Sequence, residues 1–164
     1  MSQHTGFDAE ESHGIVHRMH ADRMKQQQNA SCQSASCVQP YNVLRYSLGQ
    51  HYDSHHDVFD PAIYGPERSS RIVTALIYLA AHEGGGETIF PFEGVNGLKN
   101  SLGFDYKSCD QGLKYKPRFG DALMFWSVGV DGMFDKRSLH GGCPVKAGTK
   151  WVAPKWIRDR PVLG

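Results

Sequence analysis

The chain has 164 residues, a length that suits one domain with a sizeable core. Its 40% hydrophobic and 21% charged residues are the balance expected of a globular soluble protein. A formal net charge of +1 gives no electrostatic reason for a nucleic-acid or membrane-surface partner, and no apolar run approaches the roughly 20 residues that span a bilayer.

The opening stretch MSQHTGFDAEES lacks the basic and apolar regions of a signal peptide. After it, AEESHGIVHRMHADRMK (9–25) reads as a marginal helix with Ile15, Val16 and Met19 inward, interrupted by Gly14. His13, His17 and His20 would share a face of that helix. No carboxylate or cysteine completes a ligand set there, so a solvated face is the expectation. KQQQNASCQSASC (25–37) is small and polar, with no periodic apolar face. Residues 1–38 are therefore expected to be a marginal helix or disordered segment, with the folded domain over 39–164. Asn29 opens a glycosylation triplet, usable only in a secretory lumen. The four cysteines (Cys32, Cys37, Cys109 and Cys143) form no CxxC pair, which disfavours a four-cysteine zinc site.

From residue 40 the texture becomes that of short strands. YNVLRYSL alternates, and RIVTALIYLA (71–80) is apolar on both faces, as a central strand should be. GETIFP, GLKYKP, DALMFW and KWVAPKWI are further strand candidates, separated by Gly, Pro and Asp. Residues 92–112 read as a long loop. Gly84, Gly85 and Gly86 read as a flexible turn. The fold expected is mainly β, a sandwich or barrel with few helices.

The densest chemistry lies in HYDSHHDVF (51–59), with three histidines and two aspartates between His51 and Asp57. If the segment is extended, His55 and Asp57 point one way and His56 the other. A His and a carboxylate two apart can supply two cis metal ligands. His140 of SLHGGCPV offers a third from a distant part of the chain. Two His and one carboxylate on one face of an octahedron leave three sites open, the pattern of non-haem Fe(II) oxygenases. Read instead as HxxxH on a helix, His51 and His55 would suit a zinc hydrolase, but Asp53, Ser54 and the β-rich surroundings argue against a helix, and no Glu lies between them as base. Lys150, ten residues beyond His140, lies where a returning strand could bring its ammonium into the same interior. A buried cation needs a partner, and a dicarboxylate would provide one. The alternative is a surface lysine like Lys146 and Lys155.

Taken together, VLRYSLGQHYDSHHDVF, RIVTALIYL, GGGETIFP, GLKYKPRFGDALMFW and SLHGGCPVKAGTKWVAPKWI resemble the prolyl 4-hydroxylases of plant and algal type, Fe(II)- and 2-oxoglutarate-dependent dioxygenases with a double-stranded β-helix (jelly-roll) core. The resemblance implies iron ligands at His55, Asp57 and His140, and a 2-oxoglutarate anchor at Lys150 assisted by Tyr46 and Thr88, with Trp156 packed beside it. It implies a peptide-binding role for Arg71. The implied reaction consumes O2 and 2-oxoglutarate, releases succinate and CO2, and converts a peptidyl proline to 4-hydroxyproline. Ascorbate is the implied reductant, a Pro-rich peptide or protein the implied partner, and the endoplasmic reticulum lumen the implied location. Cys109 and Cys143, both inside the matched region, could pair in such a lumen. Two alternatives remain at this level: a dioxygenase acting on another peptide residue or a small molecule, and a non-catalytic Pro-rich-peptide binder. Two departures stand out. Residues 1–38 do not resemble the buttressing segment that relatives carry, and Arg158 replaces a histidine found in many of them.

Overall fold

The computed structural model describes residues 16–20, 41–59, 61–65, 69–80, 83–94 and 103–160. Its strands are β1 (Val16–His20), β2 (Leu44–Tyr46), β3 (Tyr52–His55), β4 (Arg71–Ala80), β5 (Gly84–Gly85), β6 (Thr88–Phe90), β7 (Leu113–Tyr115), β8 (Asp121–Trp126), β9 (His140–Gly142), β10 (Val145–Ala147) and β11 (Lys150–Arg158). A four-residue helix α1 (Pro61–Tyr64) and a 3-10 turn (Lys136–Ser138) complete the regular elements among the described residues.

One sheet has the order β1-β8-β4-β11-β2, a second has β3-β9-β6-β7, and β10 pairs with β5. Every pairing is antiparallel. The long apolar run 71–80 is the middle strand of the larger sheet, as its two apolar faces predict. Tyr78 of β4, Phe90 of β6, Leu123 and Phe125 of β8, and Val152 of β11 form the central cluster, so side chains from both large sheets meet in one core. Leu113 and Tyr115 of β7 pack on it from the smaller sheet, and Leu44 and Tyr46 of β2 from the larger. This two-sheet arrangement agrees with the expected jelly-roll.

Four local expectations need correction or refinement. Val16–His20 is a strand where a helix was expected, pairing with β8 from Val16↔Phe125 to His20↔Asp121. Without it, β8 would be an open edge, and pairing there satisfies backbone groups that a marginal helix gains little by satisfying locally. The helical spacing of His13, His17 and His20 thus has no helix to carry it over these residues. The rest of 1–40, including Cys32, Cys37 and Asn29, lies outside the described residues. Second, Gly84–Gly85 is not simply a turn: it forms a short ladder with β10. Third, the strand candidate DALMFW is split between its faces at the end: Phe125 is fully buried, whereas Trp126 points outward with 41% exposure. Fourth, the 92–112 segment has turns and no strand in its described parts, as expected, but its described part from residue 103 is tied to the rest of the domain. Cys109 is disulfide-bonded to Cys143 with a Cα–Cα distance of 5.9 Å, and the Ser54 N–H donates to the Tyr106 carbonyl at 2.7 Å.

The β1–β8 ladder changes what removal of the N-terminus should do. Residues 1–36 look dispensable as a polar tail, but deleting them bares the β8 edge. A loss of roughly 1–3 kcal/mol is expected, since a net backbone hydrogen bond contributes about 0.5–1.5 kcal/mol. A thermal melt of the deletion measures this, and an unchanged midpoint would mean that the ladder contributes nothing.

Candidate active site

His55 ends β3 and His140 begins β9, and the two are register partners across that pair. The register shifts between Tyr52↔Gly142 and His55↔His140, the mark of a bulge in β3. Close approach of the strands depends on Gly141. A Cβ there would lie 2.8 Å from Ser54 Oγ and 3.0 Å from the Tyr52 carbonyl oxygen. Asp57 lies in the bend after β3 rather than in the strand. Strict alternation is therefore not what turns it inward, although the outcome is the one alternation predicts.

One ligand-capable atom from each of His55, Asp57 and His140 lies within 4.8 Å of the others. His55 Nε2 is 3.6 Å from Asp57 Oδ1, and His140 Nε2 is 3.6 Å from Asp57 Oδ2. Each imidazole is oriented from behind. Nδ1 of His55 is 2.9 Å from the Asp53 carbonyl oxygen, and Nδ1 of His140 is 2.9 Å from that of Ser138. A ring nitrogen facing a carbonyl must donate, so each neutral ring presents its Nε2 lone pair to the centre.

The electrostatics agree with a cation site. Burial pulls the pKa of His140 down to about 4, with Asp57 opposing, so the ring is neutral and free to ligate at neutral pH. Burial works against ionisation of Asp57, but His55, His140 and the Thr74 hydroxyl together hold its carboxyl well below the usual range. The Trp156 indole N–H also faces this carboxylate and favours its charge, without reaching hydrogen-bond geometry. Two imidazole nitrogens and one buried carboxylate, with their ligand atoms gathered within 4.8 Å, fit a divalent first-row metal. His56 turns away, as predicted. Its ring packs on Phe134 at 4.5 Å and its Nδ1 lies 3.3 Å from Ser138 Oγ.

A cavity joins this triad to Lys150. Tyr46, Thr88, Trp156 and Gly142 line it, along with Tyr52 and Leu76. Lys150 is 4% exposed, with Nζ 5.7 Å from the Tyr46 ring and 5.8 Å from the Tyr78 ring. Gly142 borders the lysine, and a Cβ there would make only an ordinary contact with Lys150 Nζ at 3.7 Å. Burial lowers the Lys150 pKa to about 8, with Glu87 partly offsetting it. Burial, with Tyr52 adding to it, raises Tyr46 to about 12, so its hydroxyl keeps its proton and can donate. The Thr88 hydroxyl lies 2.8 Å from that of Tyr78.

Arg71 is the one predicted site residue that does not line the cavity. Its guanidinium stacks on the Trp156 ring at 4.0 Å, and it donates to the Asp57 carbonyl at 3.4 Å, so it adjoins the site from outside. Arg158 donates to the Ser69 carbonyl. Sequence reasoning overlooked Thr74 and Tyr78. The available signal was a hydroxyl on each of two residues in an otherwise apolar central strand, where buried polar groups require partners.

The model of the 2OG-Fe(II) oxygenase superfamily matches residues 41–158. The chain belongs to that superfamily. Among plant relatives, the oxygenase is 59% identical over 120 residues to the probable prolyl 4-hydroxylase 9 of Arabidopsis thaliana, covering 73% of this chain and 41% of the relative. It is 55% identical over 120 residues to prolyl 4-hydroxylase 13 of the same plant, covering 73% and 43%. The chain thus spans about two-fifths of the length of these relatives. A viral collagen prolyl hydroxylase from Paramecium Bursaria Chlorella virus-1, solved as a 2OG complex, superposes with a TM-score of 0.56 at 30% identity, over 88% of this chain and 79% of the other.

If Lys150 meets an anionic co-substrate, affinity should depend on pH with a definite sign. The buried amine loses its proton near pH 8 rather than 10.5. Above about pH 8 the free protein must take up a proton to present an ammonium. Binding of 2-oxoglutarate should therefore weaken as pH rises from 8 to 9.5, by up to about tenfold per unit. Calorimetric titration across that range reads the slope, and a flat profile would remove Lys150 from the role.

Proposed function

We propose that this oxygenase hydroxylates the 4-carbon of peptidyl proline, with O2 and 2-oxoglutarate as co-substrates. The observation that carries the reading is a nearly solvent-free lysine sharing one cavity with a two-histidine, one-carboxylate triad. A binding module has no use for that combination. When bound, iron supplies O2 activation coupled to the oxidative decarboxylation of 2-oxoglutarate. His55, Asp57 and His140 would hold it. Lys150 pairs with the distal carboxylate of 2-oxoglutarate, with the Tyr46 and Thr88 hydroxyls as further donors and the Trp156 ring packed alongside. Burial of Lys150 removes competing water from the ion pair, which strengthens it. Arg71, on the outer side of Trp156, supports peptide binding. A Pro-rich substrate in polyproline II form would lose little conformational freedom on docking.

Ascorbate is the reductant proposed to restore iron oxidised in uncoupled turnover. The Cys109–Cys143 disulfide supports an oxidising compartment such as the endoplasmic reticulum lumen. Arg158 keeps a second reading open, the same oxygenase acting on another residue or a small molecule, because it stands where many relatives have a histidine.

The test is succinate release from iron-loaded protein with and without a polyproline peptide, with 4-hydroxyproline measured in the peptide. Peptide-dependent succinate matched by 4-hydroxyproline is expected. Succinate with no hydroxyproline would move the substrate elsewhere. Peptide binding with no succinate would leave a non-catalytic binder.

A further inference from the structure

We propose that Thr74 is a positioning residue that sets which oxygen of Asp57 binds the metal. The proposal rests on the reading of His55, Asp57 and His140 as a metal site. Thr74 Oγ1 lies 2.5 Å from Asp57 Oδ2. A carboxylate held in its ionised form only accepts, so the threonine donates. Thr74 is fully buried. It sits in the middle of β4, flanked in register by Phe125 of β8 and Trp156 of β11. A strand paired on both sides is the firmest support the fold offers, whereas Asp57 sits in a bend with no ladder partner of its own.

The hydrogen bond divides the work of the carboxylate. Each oxygen faces one imidazole Nε2 at 3.6 Å, Oδ1 that of His55 and Oδ2 that of His140, so the difference lies in the threonine: Oδ2 accepts its hydrogen bond, and Oδ1, without it, is left as the stronger donor atom. A carboxylate that gives a metal one oxygen leaves three coordination positions, and one that gives two leaves only two. Bidentate binding of 2-oxoglutarate together with O2 requires three. Thr74 thus does more than satisfy a buried oxygen, for it keeps Asp57 from rotating into the position that O2 needs. Sequence alone places Thr74 among apolar neighbours, seventeen residues from its partner.

The test compares Thr74→Val, which keeps the shape and removes the hydroxyl, with Thr74→Ser, which keeps the hydroxyl. Co(II) affinity and the visible Co(II) spectrum are read for both, with thermal melts of the metal-free proteins as a folding control. Thr74→Val is expected to weaken Co(II) binding roughly 10–100-fold, the usual cost of losing a group that supports a ligand. It should also change the Co(II) bands as the carboxylate turns toward two-oxygen ligation. Thr74→Ser should restore both. If Thr74→Val does not fold, Thr74→Ala takes its place against Thr74→Ser. A hydroxyl-free variant that binds Co(II) as tightly as the unaltered chain would overturn the proposal, as would a serine variant no better than the hydroxyl-free one. Failure of the unaltered chain to bind Co(II) would overturn the metal-site reading, and this inference with it.

Discussion

Asp57→Ala and His140→Ala are each expected to abolish Fe(II) binding and turnover, while His56→Ala keeps most of both. Asp57 is the single negative charge in the triad, facing both imidazoles at 3.6 Å. Its loss leaves a divalent cation with two neutral ligands. The fall in affinity should exceed the roughly 100-fold that follows removal of a group merely supporting a ligand. His140 is the more buried of the two histidines, so the alanine variant also opens a gap against Phe125, whose ring lies 4.5 Å away. A melt of the metal-free variants separates that packing loss from the loss of ligation. His56 is the internal control, a histidine beside the ligands in sequence whose ring packs on Phe134 instead. An inactive His56 variant beside an active His55 variant would show the register to be wrong by one residue.

Lys150→Ala is expected to raise the KM for 2-oxoglutarate at least tenfold while iron binding persists. Truncating one partner of a buried charge pair costs about 2–5 kcal/mol. The lysine is no metal ligand in this geometry, so Co(II) or Fe(II) titration should be little changed. Without co-substrate the sign reverses. The buried ammonium is then under-compensated, and Lys150→Met should raise the melting temperature of the free protein even as it removes co-substrate binding. A variant that melts lower and keeps its KM would show the lysine to be structural.

Much of this site was legible because metal chemistry constrains residue types so tightly. Charge and spacing made His55, Asp57, His140 and Lys150 candidates, the resemblance to the prolyl 4-hydroxylases singled them out, and the long run 71–80 declared its central position through two apolar faces. What stayed hidden was set by partners distant in sequence. The pairing of Val16–His20 with β8 depends on an edge that only the assembled sheet presents, and VHRMH carries no strong preference of its own. The bulge in β3 depends on close passage over Gly141. Thr74 reads as one β-former among several until Asp57 is seen beside it. The hydroxyl of Tyr78, similarly, has meaning only next to Thr88 and Lys150.

The register pair His55↔His140 has one more consequence. A metal held by both residues ties together stretches of chain separated by most of the domain, as a covalent cross-link would. Chain entropy lost on closing so long a loop depends only weakly on its length but is substantial in total. Because the tie forms only in the folded state, its contribution grows as RT ln(1 + [M]/Kd) with the concentration of free metal. Amide exchange in β3 and β9 should thus slow as metal is added, and a chelator should loosen these two strands before the larger sheet. Iron supply would in this way set how long the oxygenase lasts as well as how fast it works.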